Sequence, residues 1–177
     1  MTIGWGWGRE GSGRGDNHVI GNLIENPQRA RCCDGGAIYT LGPQPGSSLS
    51  RNYIKNVPPV DGGRGQAVYH DNGSGGWNDT ELVIDGVFNN ACFLNTPLGN
   101  YGHGKQCPTG GARQQGDCSV FFDHNWLRTA AGTSDCPLAT ATSNTKIAAA
   151  NAALPAAAQA IVAAAGPRFQ VQASSLM

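Results

Sequence analysis

The 177-residue chain has few charged residues, few aromatic residues and no long apolar run. Lys, Arg, Asp and Glu make up 14% of it, and twelve positive side chains balance twelve negative ones. A nucleic-acid-binding surface needs a basic stripe, so we expect no nucleic-acid partner. The same balance provides no attraction to an anionic membrane surface. Because no run of about 18 apolar residues occurs, the sequence predicts no transmembrane helix and we expect no membrane partner.

Large apolar side chains are also scarce, since Leu, Ile, Val and Phe account for only 32 of the 177 residues. A proportion this low accompanies disorder when the net charge is high, but here the net charge is zero. Glycine is plentiful, with 26 residues, as in a chain that bends every few residues. A stacked repeat buries only a thin column of side chains per unit, so this composition favours a repetitive fold.

A repeat of 30 residues runs through the first half of the chain. Ile24, Ile54 and Ile84 are separated by 30 positions each. Two further pairs keep the same step: Ile38 with Val68, and Tyr39 with Tyr69. The units are short β runs broken by Gly, Asn, Asp and Pro, without helical periodicity. A period of this length in such units predicts the coils of a parallel β-helix.

Asparagine recurs at one position of the repeat. Asn22 and Asn52 each stand two residues before an isoleucine, whereas Leu82 occupies this position in the next unit. Stacked Asn amides can satisfy backbone groups of turns that no sheet pairs, so we expect a structural ladder here. Asn125 restores the pattern beyond an irregular stretch, and the neighbouring Asp123-His124 pair is expected to form a turn.

The repeat predicts two regions. Residues 1–138 form the coils, with an irregular insertion at about 97–118, and residues 139–177 form an Ala-rich tail. Within the tail, Pro155 as a start signal and Gly166 as a stop signal predict a helix over about 155–165. We expect this helix to cover the open end of the last coil, where a strand edge would otherwise be exposed.

Six cysteines are many for a reducing compartment, and their number is even. Their spacing fits no zinc pattern, so we expect disulfides, with free buried thiols as the alternative. The segment that begins Met1-Thr2-Ile3 lacks the features of a signal peptide. We therefore expect an extracellular protein whose leader lies upstream of this chain.

Several motifs resemble a known family: Gly4–Trp7, the strand Asp34–Tyr39, the coils at Asn22 and Asn52, and Ala165-Gly166-Pro167. The chain resembles the C-terminal part of right-handed parallel β-helix proteins of the pectate-lyase-like superfamily, and looks closest to carbohydrate-active, glycoside-hydrolase-like members. The resemblance implies an all-β, right-handed parallel β-helix with a short C-terminal capping helix. It also implies a polysaccharide or oligosaccharide partner. The superfamily includes lyases, hydrolases, epimerases and non-catalytic adhesins, so the resemblance does not choose the reaction.

Asp34, Asp71 and His70 are the candidate catalytic residues. Glycoside hydrolysis needs two carboxyl groups about 5–9.5 Å apart, and His acts as an acid or base near neutral pH. The 30-residue step places Asp34 opposite Arg64, however, and about 20 Å from Asp71 on a straight strand. An ion pair with Arg64 is therefore the alternative role for Asp34. The resemblance implies an acidic residue directly after Asp71, where this chain has Asn72.

Four residues are candidates for substrate binding: Tyr39, Tyr69, Trp77 and Arg64. Tyr39 and Tyr69 are expected to stack one coil apart, as a core ladder or as the wall of a sugar subsite. Trp77, which follows Gly75-Gly76, is expected to be exposed and to stack on a sugar ring.

We expect a carbohydrate-active protein that hydrolyses glycosidic bonds of a complex polysaccharide by carboxylate acid/base chemistry. The alternatives are a non-catalytic carbohydrate-binding or surface β-helix protein, and a polysaccharide lyase. The sequence has no HExxH motif and no acidic cluster suited to calcium, so we expect no metal and no cofactor. An uncapped end of the coil stack predicts self-association.

Overall fold

The computed structural model describes residues 1–3, 15–27, 35–58, 65–71, 74–87, 90–94, 120–128, 143–147 and 151–166. Asp34, Arg64, the segment Gly4–Trp7 and the predicted insertion at 97–118 lie outside these residues. The strands are β1 (Thr2–Ile3), β2 (His18–Ile20), β3 (Leu23–Glu25), β4 (Gly35–Thr40), β5 (Pro43–Ser50), β6 (Tyr53–Val57), β7 (Gly65–His70), β8 (Gly75–Thr80), β9 (Val83–Val87), β10 (Asn90–Leu94), β11 (Val120–Asp123), β12 (Trp126–Arg128) and β13 (Thr145–Lys146). A helix, α1, spans Ala156–Ala164.

The strands form three sheets in which every described pairing is parallel. Sheet A has the order β1-β4-β7-β10, sheet B the order β11-β8-β5-β2, and sheet C the order β13-β12-β9-β6-β3. The chain therefore passes through sheets A, B and C in turn and then returns to sheet A, one strand further along. We call each such passage a coil. A mostly β chain of this topology is consistent with the predicted parallel β-helix.

The pairing register confirms the 30-residue repeat. Ile24 lies opposite Ile54, which lies opposite Ile84. Ile38 lies opposite Val68 and Tyr39 opposite Tyr69. The step between the third and fourth coils is longer: Val120 pairs with Trp77, 43 positions earlier. In sheet A the same step is only 24 residues, because Cys92 lies opposite Val68. From Cys92 to Val120 is 28 positions, against 9 from Val68 to Trp77, so the chain between β10 and β11 is 19 residues longer than that between β7 and β8. This is the stretch in which the sequence predicts an insertion, and sheets B and C still stack in register beyond it.

The core is a set of side-chain columns that face the space between the sheets. Sheet C contributes the column Ile24, Ile54, Ile84 and Leu127, in which like residues repeat from coil to coil. Sheet B contributes Leu49 and Phe122, both fully buried. Each coil thus adds a few apolar side chains to one continuous core, which explains how a chain with so few of them still buries a hydrophobic interior.

Left-handed backbone conformations recur in columns at the corners of the coils. One column, at the corner between sheets B and C, comprises Gly21, Arg51, Glu81 and His124, with φ between 54° and 71°. A second column is not at a corner. It consists of Gly46 and Gly76, which lie within strands β5 and β8 of sheet B, where adjacent coils pack very closely. A Cβ atom at Gly76, where φ is 76°, would lie 2.5 Å from the Cα of Pro45. Glycine is required at this position because the backbone of the neighbouring coil occupies that space.

The predicted asparagine ladder forms beside the corner between sheets B and C. The Oδ1 of Asn52 accepts the backbone N–H of Asn22 at 3.0 Å, and its Nδ2 donates to the carbonyl of Val19 at 2.7 Å. Asn125 repeats both bonds, to the N–H of Leu82 and the carbonyl of Asp79. Each amide satisfies two turn backbone groups that no sheet pairs, which is the structural role that the sequence predicts.

Helix α1 agrees with the predicted helix in its bounds but not in its location. It packs on the outer face of sheet C, where Ala158 and Ile161 contact Val83. The N–H of Gly166 donates to the carbonyl of Gly21 in the first coil at 3.0 Å. Strand β13, not the helix, lies at the end of sheet C beyond β12. The expectation of an end cap is therefore wrong, because the apolar side of the helix finds its partner on the side of the stack. Within the described residues, no helix is long and apolar enough to cross a membrane.

Candidate functional site

The outer face of sheet A brings three of the predicted site residues together. The rings of Tyr39 and Tyr69 meet edge to face, with their centroids 5.3 Å apart. The Tyr39 hydroxyl donates a hydrogen bond to the Asp71 carboxylate. Asp71 is only 3% exposed, and Tyr69 is buried as well. The two tyrosines thus stack one coil apart as predicted, and Tyr39 orients the carboxylate of Asp71.

His70 points to the opposite side of the strand, into the core, where it joins a buried polar network. Its Nε2 lies 2.6 Å from Oδ2 of Asp79, and its Nδ1 lies 2.8 Å from Oγ1 of Thr40. The Thr40 hydroxyl also bonds the hydroxyl of Ser74 at 2.9 Å. All four side chains are buried. Both nitrogens of His70 are therefore engaged inside the core, whereas proton transfer to a bound sugar requires a position at the surface. The role this geometry supports for His70 is structural.

Asp79 is the acid of this network and is fully buried. Its burial raises the pKa of the carboxyl group, and the neighbouring His70 counteracts part of that rise. Oδ1 of Asp79 and Nε1 of Trp77 have no hydrogen-bond partner among the described residues. Unpaired buried polar atoms each cost about 1–3 kcal/mol, so these two atoms lower the stability of the folded state.

His70, Asp79 and Cys92 form the cluster of potential metal ligands found within the described residues, with ligand atoms within 4.8 Å of one another. Cys92, however, is disulfide-bonded. A disulfide sulfur is not the thiolate that metals bind, and Nε2 of His70 is already bonded to Asp79. The cluster therefore lacks the free donors of a metal centre.

Trp77 is fully buried, so the expectation of an exposed stacking residue is wrong. Its indole lies in the inward column of sheet B, between Ser47 in the preceding coil and Val120 in the following one. Ser47 is small and Val120 is compact, so the column has room for one large ring. Trp77 also lies 5.8 Å from the ring of His70, which links it to the buried network rather than to the surface.

A groove of about 620 Å³ runs over the outer face of sheet B. Three strands contribute to it, one from each of the second, third and fourth coils. Its lining comprises Gly46, Ser47 and Ser48 of β5, Gly76, Trp77, Asn78 and Thr80 of β8, Phe121 and Asp123 of β11, and the following His124. The volume lies within the range of ligand-binding pockets, which is about 300–1,000 Å³. We call this feature the sheet B groove.

Three outward side chains form the floor of the sheet B groove. Ser48, Asn78 and Phe121 occupy equivalent positions of adjacent strands and so stand in one row. Phe121 is 42% exposed, which is high for a large apolar residue. Asn78 is exposed, and no side-chain hydrogen bond to it occurs within the described part of the chain. An aromatic face beside an unengaged amide is suited to bind a ligand that has both C–H and O–H surfaces.

Asp123 and His124 form the far wall of the groove. Oδ2 of Asp123 lies 2.9 Å from Nδ1 of His124, and Oδ1 of Asp123 accepts the backbone N–H of Ser143. His124 adopts a left-handed conformation, with φ of 56°, so the pair does form the predicted turn. Both carboxylate oxygens of Asp123 are thus bonded within the chain. The role of Asp123 here is to hold His124 and Ser143 in place at the wall of the groove.

The sequence interpretation missed Phe121, Asn78 and Thr80 as candidate ligand contacts. One signal was available for Phe121. Adjacent strand residues point to opposite faces, so of the consecutive Phe121 and Phe122 one had to point outward. For Asn78 and Thr80 the pattern gave no answer, because the strand carries polar residues on both of its faces.

No family model, curated protein or solved structure matches this chain. The three parallel sheets agree with the coarser expectation of a parallel β-helix.

Proposed function

We propose that this protein is a right-handed parallel β-helix of the pectate-lyase-like type that binds carbohydrate through the sheet B groove. The observation that carries the proposal is the row of Ser48, Asn78 and Phe121 on the groove floor. It combines a hydroxyl, an amide and an exposed aromatic ring at the same strand position of three successive coils.

The chemistry of this row fits a sugar. One face of a pyranose is lined with C–H groups and packs on an aromatic ring, while its hydroxyls need donors and acceptors at the edge. The Asn78 amide offers both kinds of hydrogen-bonding group, and the Thr80 hydroxyl does the same. An apolar ligand would leave these groups unpaired, and a wholly polar one would gain nothing from the exposed Phe121 ring.

The groove supports binding rather than cleavage. Hydrolysis of a glycosidic bond uses two carboxyl groups on either side of the bond. Among the residues that line the sheet B groove, Asp123 carries the one carboxyl group, and both of its oxygens are hydrogen-bonded. The non-catalytic alternative drawn from the sequence is therefore the function that this geometry supports best.

The proposal is tested by measuring glycan binding to the intact chain and to Phe121→Ala by isothermal titration calorimetry. We expect the substitution to weaken binding by about two- to twelvefold, since stacking on an aromatic ring is worth about 0.5–1.5 kcal/mol. Leu23→Ala is the matched control, because Leu23 is a similarly exposed apolar residue, 40% accessible, on sheet C. Equal losses in the two variants, or no binding to any glycan, would overturn the proposal.

Hydrolysis is a second candidate, which the hydrogen bond from Tyr39 to Asp71 favours and the burial of Asp71, 3% exposed, opposes. A carboxyl group held by a phenol beside a second tyrosine resembles a positioned acid or base. The test is release of reducing sugar from a polysaccharide panel by the intact chain and by Asp71→Asn. Loss of release in the variant supports hydrolysis, whereas release that persists excludes Asp71. Products with unsaturated ends, which absorb ultraviolet light, would indicate a lyase instead.

Extracellular location and self-association belong to the same proposal. The six cysteines support an oxidising compartment. The outermost strands of the three sheets pair on one side only among the described residues, which favours association with other chains. Sedimentation analysis at several protein concentrations tests self-association, and a count of free thiols in the unfolded, unreduced chain tests whether the cysteines are oxidised.

A further inference from the structure

We propose that the ligand of the sheet B groove is an extended, uncharged glycan that lies along the stack of coils, with about one sugar unit over each coil. This inference rests on the proposed function and adds to it the class, direction and length of the glycan. It follows from the spacing of the groove residues, from the charges around them and from the walls that bound them.

The spacing follows from the pairing of the strands. Ser48, Asn78 and Phe121 are direct partners in adjacent parallel strands, so consecutive members of the row are about 4.8 Å apart. The row therefore offers one recognition group per coil. The repeat along an extended chain of equatorially linked pyranoses is of similar length, so successive sugars can meet successive coils. A compact or helical glycan would place its sugars out of step with these groups.

The charges in the groove favour an uncharged glycan. Among the described residues that line it there is no Lys or Arg, and the one acidic side chain is Asp123. A polyuronate would bring several carboxylates toward Asp123, and among the described lining residues His124 is the one that can carry a positive charge. That His is bonded to Asp123 itself at 2.9 Å. Arg51, at the corner beside the groove, lies 3.9 Å from Glu81, which opposes its charge. Like charges in proximity oppose binding, so acidic glycans are disfavoured relative to neutral ones.

The direction follows from the wall of the groove. The corner between sheets B and C carries the exposed side chains of Arg51, Glu81 and His124, one per coil. These side chains form a ridge parallel to the stack, and Arg51 lies 3.9 Å from Glu81 along it. A long ligand that crossed the strands would meet this ridge. A ligand that follows the row would not, and it would reach the outward-facing His18 and Ser48 at the other end.

His18 marks that end of the row. It pairs with Ser48 in the sheet, and its Nδ1 lies 2.8 Å from the Ser48 hydroxyl oxygen. Its Nε2 lies 2.9 Å from Asp16. The imidazole therefore orients the Ser48 hydroxyl at the first contact position, while Phe121 provides the stacking surface at the last. The two ends of the row differ in chemistry, which gives the bound chain a preferred polarity.

The experiment is a calorimetric length series. Linear β-1,4-linked gluco-oligosaccharides of one to six units are titrated into the full chain, beside oligogalacturonates and α-1,4-linked gluco-oligosaccharides of equal length. We expect the affinity of the β-linked series to rise about tenfold per unit at first and to level off at about three to four units, since three strands line the groove and β2 adds a fourth. The acidic and α-linked series should bind at least tenfold more weakly.

Two variants locate the ends of the bound glycan. Phe121→Ala should weaken binding of the trisaccharide and of the monosaccharide, because a single sugar stacks on the ring. Ser48→Ala should weaken the trisaccharide about threefold and leave the monosaccharide unchanged, since a single sugar at Phe121 does not reach the other end of the row. The variant Asn151→Ala, on an exposed turn away from sheet B, is the control and should bind like the parent chain.

The outcomes separate this inference from the proposed function. If no carbohydrate of any series binds, the proposed function itself is wrong. If carbohydrate binds but the affinity does not change with length, or if oligogalacturonates bind as tightly as neutral glycans, the function stands and the inference is overturned. An effect of Ser48→Ala on the monosaccharide equal to its effect on the trisaccharide would also overturn the extended arrangement.

Discussion

The outer faces of sheets B and C are built from the same repeat, yet the side chains of sheet C are ion-paired within the chain and those of sheet B face solvent. On sheet C, the outward column Glu25, Lys55, Asp85 and Arg128 alternates in sign from coil to coil. Lys55 lies 3.0 Å from Glu25, and Arg128 bonds both carboxylate oxygens of Asp85, at 3.0 and 2.5 Å. On sheet B, Asn78 and Phe121 face solvent. One face is satisfied within the chain, and the other is available to a ligand.

The difference shows how a repeat can separate stability from binding. Sheet C also receives helix α1, so its outward apolar column is covered by Ala158 and Ile161. The same pitch of about 4.8 Å that sets salt bridges on sheet C sets the row of contact groups on sheet B. Substitutions on sheet C should therefore change the free energy of unfolding, and substitutions on the sheet B groove should change binding.

The largest effect is expected at the corner that joins the two faces. Asn125→Leu removes the bonds to the N–H of Leu82 and the carbonyl of Asp79, and both groups stay buried. We expect the free energy of unfolding in urea to fall by about 2–4 kcal/mol, because stranded buried groups cost about 1–3 kcal/mol each. Asn22→Leu, in the partly exposed first described coil, should cost less. Equal costs would show that the ladder bonds do not determine the loss.

A smaller loss is expected on the satisfied face. Arg128→Met removes the two-pronged pair with Asp85 and the bond to the carbonyl of Ala152, which is 2.7 Å long. Both charged side chains are only 17% exposed. We expect a loss of about 1–2 kcal/mol in unfolding free energy, measured by urea denaturation, and unchanged glycan binding. Weakened binding at unchanged stability would contradict the separation of the two faces.

Asp79, on the inward face of β8, should make the free energy of unfolding depend on pH. Burial raises the pKa of Asp79 above its usual value of 3.8. As the pH rises from that value toward the raised pKa, the unfolded chain releases this proton before the folded chain does. The contribution of Asp79 to stability therefore falls as the pH rises through this window, by at most about 1.4 kcal/mol per pH unit. Asp79→Asn should lack this component in urea titrations at a series of pH values. An identical slope in the variant would refute the assignment.

The smallest effect is expected at the more exposed ion pair of sheet C, in which the side chains of Lys55 and Glu25 are 27% and 39% accessible. The hydrogen bond to Glu25 raises the pKa of Lys55, which nonetheless lies in a solvent-screened position. Lys55→Met should change the unfolding free energy by less than about 0.5 kcal/mol, since exposed salt bridges contribute little. Thermal denaturation of the variant beside Arg128→Met provides the comparison. A cost as large as that of Arg128→Met would mean that position along the column, and not burial, sets the strength of these pairs.

The repeat and its register were predictable from the sequence because they depend on spacing alone. Ile24, Ile54 and Ile84 align as the 30-residue step requires, and Tyr39 aligns with Tyr69. Spacing is insensitive to which face each side chain occupies.

The orientation of the third coil could not be predicted in the same way. Alternation of apolar and polar residues identifies the inward face of a strand only when charged residues point outward. In β8 the fully buried Trp77 shares its inward face with the fully buried Asp79. Hydropathy predicts an outward position for Asp79, and alternation would then place Trp77 outward as well. Asp79 is accommodated by His70, which comes from another sheet, and no local pattern encodes that contact.

The surface on which helix α1 docks also could not be predicted from the sequence. Its bounds follow from Pro155 and Gly166, but its docking face depends on the outward column that includes Tyr53, Val83 and Trp126. These residues come from three different coils. Only their stacking creates the apolar strip on which the helix lies.

Helix α1 changes how the molecule should respond to force. A stack held only by contacts between neighbouring coils opens one coil at a time from either end. Here the segment from Ala152 to Gly166 is fastened to Arg128 at one end and to Gly21 at the other. Nine helical residues extend about 13–14 Å, close to three steps of the stack. The helix thus links the first coil to the fourth. A force that pulls on either of these coils is therefore shared by all the coils between them.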